Sequence, residues 1–258
     1  VIGVGKTRNT SEPGYAASGR WSTGENYRQI YRQTVIYDYL LRRRVEPFFI
    51  YQSTITSVID FRGLLTALGT LPSSGCFAGM PAQLSSPDEV RGFTFCCGTN
   101  TLLSSDIVQR LRQRYDPEDE HNYMPNDIWQ GMLLKDTPRR AMPFFSFTKP
   151  RVAASNFDDL CWKTQRLVAM GHFHFRVKTN SEAEGLAARE DVDPWVMLKV
   201  MQGILSSVHD PAATRQMLLD MARFSDADEN GCIPTMLRKP IFHTHERRVA
   251  LSEADFPE

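Results

Sequence analysis

The sequence predicts an α/β fold in which a mixed sheet is flanked by helices, with a helical layer at the C-terminal end. Helical and strand-like patterns alternate in the first half of the chain, and helical patterns dominate its end. The 258 residues, 41% of them hydrophobic, provide enough material for one large core. We therefore expect a single domain over residues 1–258, with an α/β core at 1–150 and a C-terminal strand and helical part at 151–258.

Helical periodicity places the predicted helices. In the first, at residues 25–44, apolar and aromatic side chains recur every three or four positions. The second begins at Asp60, a favoured N-cap residue type, and ends at Gly69. A third follows Ser104, and two more occupy residues 194–224, where an Asp-Pro pair separates them.

Short apolar runs place the predicted strands, and the segment between 92 and 131 organises the rest. We expect a strand at 92–97, a tight turn at Gly98 and then the helix after Ser104. Residues 81–89 are expected to form a surface segment. The other predicted strands lie at residues 1–4, 48–51, 76–79, 143–147, 167–178 and 240–245.

Composition excludes several classes of protein. Thirty basic and thirty acidic residues give a formal net charge of +0, which does not favour nucleic acid as a partner. Five cysteines without a Cys-x-x-Cys pair predict reduced thiols in a cytoplasmic protein, not a disulfide framework or a zinc site. No apolar run reaches about 18 residues, so we expect no transmembrane segment.

Asp127 is the candidate catalytic carboxylate. It opens a short helical segment, NDIWQG at 126–131, that follows a strand and a glycine turn. Enzymes of the α/β class place polar side chains at such strand ends. A second interpretation is that Asp127 caps the helix after Pro125, and the two roles are compatible.

Three motifs in this order resemble those of GT-A-type glycosyltransferases. They are ENYRQI at 25–30, CGTN at 97–100 and NDIWQG at 126–131. The closest resemblance is to the fringe and β1,3-galactosyltransferase type and to bacterial or viral polysaccharide transferases, over roughly residues 25–135. It implies a GT-A-like fold that moves a sugar from a nucleotide-sugar donor to a saccharide acceptor with inversion. Asp127 would then deprotonate the acceptor hydroxyl.

The resemblance also implies an acceptor side of the site. It places Gly98, Thr99 and Asn100 at a turn beside the acceptor. Trp129 would stack on a sugar ring, although tryptophan is also a common core residue.

Two departures from that family change the expected chemistry. Where the family has an Asp-x-Asp that holds Mn²⁺ or Mg²⁺, this chain has Thr54, Ile55 and Thr56. Uncharged hydroxyls hold a hard divalent cation poorly, so we expect a metal-independent enzyme without cofactor, or a non-catalytic carbohydrate-binding or scaffold protein. In addition, the family's nucleotide-binding strands would lie before residue 1 or be absent.

Without a metal, cations of the protein must stabilise the diphosphate leaving group. In HFHFRVK, alternation puts His172, His174, Arg176 and Lys178 on one face of the strand. We assign donor and phosphate binding to Thr54, Thr56, His174, Arg176 and Lys178. The alternative is an ordinary solvent-exposed sheet face.

Three further motifs are incomplete. His172 and His174 need a third zinc ligand, such as His243 or His245. The calcium-loop pattern that starts at Asp226 has Leu237 where a glutamate belongs, and the GKT at residues 5–7 lacks the first glycine of a phosphate loop.

Overall fold

The computed structural model describes residues 24–43, 48–83, 93–119, 122, 124–147, 157–177 and 189–222. Within these ranges the chain forms seven helices and seven strands, and its α/β class, with mixed sheets flanked by helices, is confirmed. The predictions for the strands at 1–4 and 240–245, for Lys178, for His243 and His245, for the GKT motif and for the calcium-loop pattern lie outside the described residues.

The strands are β1 (Phe49–Ser53), β2 (Ser57–Ile59), β3 (Phe77–Gln83), β4 (Thr94–Ser104), β5 (Arg139–Ala141), β6 (Phe145–Phe147) and β7 (His174–Val177). The helices are α1 (Gly24–Arg42), α2 (Phe61–Leu68), α3 (Ser105–Arg114), α4 (Asn126–Leu133), α5 (Phe157–Ala169), α6 (Arg189–Leu205) and α7 (Pro211–Ala222). None of these helices is both long and apolar enough to cross a lipid bilayer.

The strands form two mixed sheets. The first has the order β1-β4-β3-β5, with β4 antiparallel to both neighbours and β5 parallel to β3. The second has the order β2-β7-β6, where β7 is antiparallel to β2 and parallel to β6. The short connection after β5 carries the chain from the first sheet to the second.

Helices cover the sheets on faces that the hydrophobic residues define. Helices α1, α3 and α4 pack on one face of the first sheet, and α2 and α7 pack on the other. Helices α5 and α6 pack on the second sheet against Phe175 and Val177. Burial of these apolar faces is the main source of stability, at roughly 25 cal/mol per Å² removed from water.

The predicted ends of α2 are confirmed, because residues close to each end determine them. Asp60 caps α2, since its Oδ1 accepts a hydrogen bond from the Arg62 backbone N at 3.1 Å. Gly69 is the C-cap of that helix, as predicted. The predicted start of α6 at Pro194 is wrong, because the helix begins at Arg189 and includes the proline.

The predicted tight turn at Gly98 is wrong. Strand β4 continues through Gly98 to Ser104, and the chain forms a bulge there instead of the predicted turn. The register between β3 and β4 shifts between Gly79 and Pro81, so residues 97–100 have no partner in β3. Asn100 stabilises the bulge, because its Oδ1 accepts a hydrogen bond from the Met80 backbone N at 2.6 Å.

Two other predicted boundaries need correction. Leu167, predicted to begin a strand, lies in α5, because it is buried with Leu160 and Val168 on the face of that helix that packs against the second sheet. Within the described residues, the strand covers His174–Val177. Of the predicted surface segment, Pro81–Gln83 lies in β3, where it pairs with β4; residues 84–90 lie outside the described residues.

Candidate functional site

The Asp127 side chain is anchored against the bulge of β4. Its Oδ2 accepts a hydrogen bond from the Gly98 backbone N at 3.0 Å, and its Oδ1 accepts one from the Ile128 backbone N at 3.0 Å. The residue at the N-cap of α4 is Pro125, and Asp127 lies in the first turn. Asp127 is therefore not the cap residue, although a carboxylate in the first turn interacts favourably with the helix dipole.

Gly98 allows this close approach. A Cβ atom at position 98 would lie 3.2 Å from the Cβ of Asp127, which is tighter than an ordinary side-chain contact. A larger residue would therefore push the carboxylate away from the strand. The glycine of the CGTN motif positions Asp127, and it does so from within a strand.

The surroundings of Asp127 change its acidity in opposing directions. Burial raises the pKa of the Asp127 carboxyl above its usual value, and this effect is the largest. Hydrogen bonds from the backbone of Gly98 and Ile128, and the positive charge of Arg176, act in the opposite direction. Because burial wins, the Asp127 carboxylate is a stronger base than an exposed aspartate.

Strand β7 brings Arg176 to the same region. Ser57 on β2 and Ser146 on β6 are the cross-strand partners of Arg176, so the three side chains share one face of the second sheet. Phe175 and Val177 are buried on the opposite face against the helices. The predicted alternation is therefore confirmed for residues 174–177.

His174 lies on the Arg176 face and is fully buried, with 0% of its surface exposed. The alternative interpretation, an ordinary solvent-exposed sheet face, is therefore wrong for His174. Its Nδ1 lies 2.5 Å from the Tyr51 hydroxyl, and its Nε2 lies 3.0 Å from Ser57 Oγ. This link joins the second sheet to β1 of the first.

Burial, and to a smaller extent the nearby charge of Arg176, lower the pKa of His174 to about 3. The ring is therefore neutral at physiological pH, and both of its nitrogens have partners. A role for His174 as a cation that binds phosphate is not supported. Its ring instead bridges the hydroxyls of Tyr51 and Ser57.

Thr54 and Thr56 belong to the same hydrogen-bond network as Ser57 and His174. Thr54 Oγ1 lies 3.1 Å from Thr56 Oγ1 and 3.1 Å from Ser57 Oγ, and the Val177 backbone N donates to the Thr56 carbonyl at 2.7 Å. The fold therefore brings together two segments of the predicted donor site that are more than a hundred residues apart.

The hydroxyls of Thr54, Thr56 and Ser57 do not suit the divalent cation that GT-A-type glycosyltransferases bind. They are uncharged and already bond one another, whereas Mn²⁺ and Mg²⁺ require charged oxygen ligands. In the described part of the chain, no three His, Cys, Asp or Glu side chains are arranged as a possible metal site.

The predicted acceptor role of Trp129 is wrong. The side chain is 1% exposed and packs edge-on against Tyr115, with ring centroids 6.1 Å apart, so no sugar ring reaches it. Thr99 and Asn100 are also buried. The Asn100 amide bonds the backbone of Met80 and Pro143, which assigns it to the bulge.

Three residues of the site were not predicted: Tyr51, Ser57 and Ser146. Tyr51 was assigned only to an apolar strand. Ser57 directly follows the Thr54–Thr56 segment and had no motif of its own. For Ser146 a signal existed, because Phe145 and Phe147 alternate with it and direct it to the opposite face.

A separate groove of about 910 Å³ lies between β2 and α6. Its lining is largely apolar and includes Val58, Met197 and Leu205. Ser57 borders both this groove and the hydroxyl network, but Asp127 and Arg176 do not line it. The candidate site with Asp127 and Arg176 is therefore beside the groove and not inside it.

No protein-family model matches this chain, and no curated protein matches it either.

Proposed function

We propose that this protein is an inverting glycosyltransferase with a GT-A-like fold, which moves a sugar from a nucleotide-sugar donor to a saccharide hydroxyl without a metal ion. One observation carries the proposal. The Asp127 carboxylate, held by the Gly98 backbone, lies close enough to Arg176 for that cation to change its pKa. A general base beside a cation is what metal-free transfer to a hydroxyl requires.

Asp127 is the proposed base. The acceptor hydroxyl loses its proton to a carboxylate oxygen of Asp127 as its own oxygen attacks the anomeric carbon. Each carboxylate oxygen offers about two acceptor positions, and one backbone N–H occupies one of them. Each oxygen of the anchored carboxylate therefore keeps an acceptor position for the acceptor hydroxyl.

Arg176 is the proposed stabiliser of the leaving group. As the bond from the anomeric carbon to the diphosphate oxygen breaks, its electron pair moves to that oxygen, and negative charge grows there. A guanidinium donates parallel hydrogen bonds to phosphate oxygens, which suits it to this role.

The first test of this function is transfer in the absence of metal. Purified protein is incubated with a panel of nucleotide sugars and saccharide acceptors, with and without excess EDTA. Because the Thr54 and Thr56 hydroxyls replace the family's carboxylates, we expect EDTA to leave the transfer rate largely unchanged. Mass spectrometry of the acceptor detects the added sugar.

Strict dependence on Mn²⁺ or Mg²⁺ would contradict the metal-independent mechanism. Binding of nucleotide sugars or glycans without transfer or hydrolysis would instead support the non-catalytic carbohydrate-binding alternative, which the loss of the Asp-x-Asp favours. A thermal-shift screen identifies such binding, since a ligand that binds only the folded state raises its stability.

A second test uses pH. A base must be deprotonated, so kcat/KM should rise with pH through the raised pKa of Asp127, above the usual range of aspartate. Because the charge of Arg176 lowers that pKa, Arg176→Met should move the acidic limb to higher pH. If the variant is too slow to assay, NMR titration of the Asp127 carboxyl measures the same change. An unchanged pKa in the variant would show that the two groups do not interact.

A further inference from the structure

Ser146 presents an unused polar group next to Arg176. It lies on β6, directly across from Arg176 on the neighbouring strand β7. Its Oγ atom is buried and, among the described residues, has no hydrogen-bond partner. A buried hydroxyl without a partner costs free energy, so a group that remains unsatisfied in the folded chain is a candidate for ligand contact.

Arg176 also has a hydrogen-bond donor that is unsatisfied. Its Nε is buried and lacks a hydrogen-bond partner within the described part of the chain. Asp127 does not accept a hydrogen bond from this donor. Its two oxygens instead accept from the backbone of Gly98 and Ile128. Two unsatisfied groups therefore lie on adjacent strands and share one face of the sheet.

We propose that Ser146 and Arg176 together form a metal-free binding site for a diphosphate group. The hydroxyl and the guanidinium are both hydrogen-bond donors, and the neighbouring His174 is neutral with both nitrogens occupied. An anion with several oxygens satisfies both donors at once, which a single carboxylate or a sugar hydroxyl does less well. The choice of diphosphate over other anions rests on the proposed function.

Calorimetric titration with inorganic pyrophosphate in excess EDTA tests the site. We expect binding by the unmodified protein, and about 10-fold weaker binding by Ser146→Ala, since a hydrogen bond to a charged group is lost. Ser146→Thr keeps the hydroxyl and should retain most of the affinity. Arg176→Met should weaken binding at least as much as Ser146→Ala, and high salt should reduce that difference by screening.

Matched controls come from the helical layer. Ser206→Ala removes a hydroxyl that bonds Gln202 and Gln165, and Arg166→Met removes a guanidinium that stacks on Trp162. Both control variants should bind pyrophosphate like the unmodified protein. Circular dichroism and thermal melting of every variant establish that the fold is intact.

The outcomes separate this site from the proposed function. Pyrophosphate affinity that is the same in Ser146→Ala, Arg176→Met and the unmodified protein overturns the site, even if sugar transfer is observed. Binding that depends on both residues supports it, even if no transfer is found. Parallel titrations with UDP, GDP and farnesyl diphosphate distinguish a nucleotide from a lipid as the source of the diphosphate, because each adds different contacts to the same group.

Discussion

Asp127→Asn is expected to lower the rate of sugar transfer by about 10²-fold or more, because a positioned general base contributes at least this factor. The amide has nearly the same shape as the carboxylate but cannot accept the proton of the acceptor hydroxyl. Its single amide oxygen can still accept the hydrogen bond from Gly98 that links α4 to β4, although the local bond from Ile128 is then lost. Initial rates of transfer, measured at saturating donor and acceptor, give the effect on kcat.

The control for this variant is Asp159→Asn, on the exposed side of α5, where the carboxylate pairs with Lys163. Exposed pairs of this kind contribute little, at most about 1 kcal/mol, so transfer should be unaffected. Binding of a nucleoside diphosphate should be similar in both variants, since neither residue is assigned to the donor. Near-normal transfer by Asp127→Asn would reduce Asp127 to a structural residue of the first helical turn.

Several helices of this fold were predictable because their signals are local, whereas α5 was not predicted. The Asp60 side chain bonds a backbone N–H two residues away, and Gly69 ends the same helix. Such interactions depend on neighbours in sequence, so residue type and spacing suffice to identify them. The same applies to the alternation along β7, which directs His174 and Arg176 to one side.

The bulge of β4 was not predictable from the sequence. Gly98 favours a turn when it is considered with its neighbours alone. In the folded chain Asn100 bonds Met80, twenty residues away, and Asp127 bonds Gly98 from another element. These long-range contacts stabilise an extended path through the glycine.

Residue type alone also misled the assignment of Trp129. A tryptophan beside a candidate base is suited to stacking on a sugar, but the same spacing on α4 directs it into the core with Ile107 and Leu111. Burial depends on how the helix is rotated against the sheet, where Gly131 packs closely against Phe95. The sequence identified Asp127 on this helix but could not identify which neighbours remain accessible.

Gly131→Ala is expected to destabilise the protein and to impair transfer at once. A Cβ atom at position 131 would lie 2.6 Å from the Cβ of Phe95 and 3.2 Å from the Phe93 ring, so α4 must move away from β4. Overpacking of this kind lowers the free energy of unfolding by about 1–3 kcal/mol. Alanine also favours the helix by about 1 kcal/mol relative to glycine, which offsets only part of the loss.

The effect on transfer should exceed the effect on stability, because α4 carries Asp127. A shift of about 1 Å in a catalytic group costs on the order of 10²-fold in rate. Gly69→Ala is the matched control: its φ of −74° suits alanine, and the nearest atom to the added Cβ is 3.6 Å away. Chemical denaturation and transfer assays on both variants measure the two effects. Normal stability and transfer in Gly131→Ala would mean that the contact with Phe95 does not position the base.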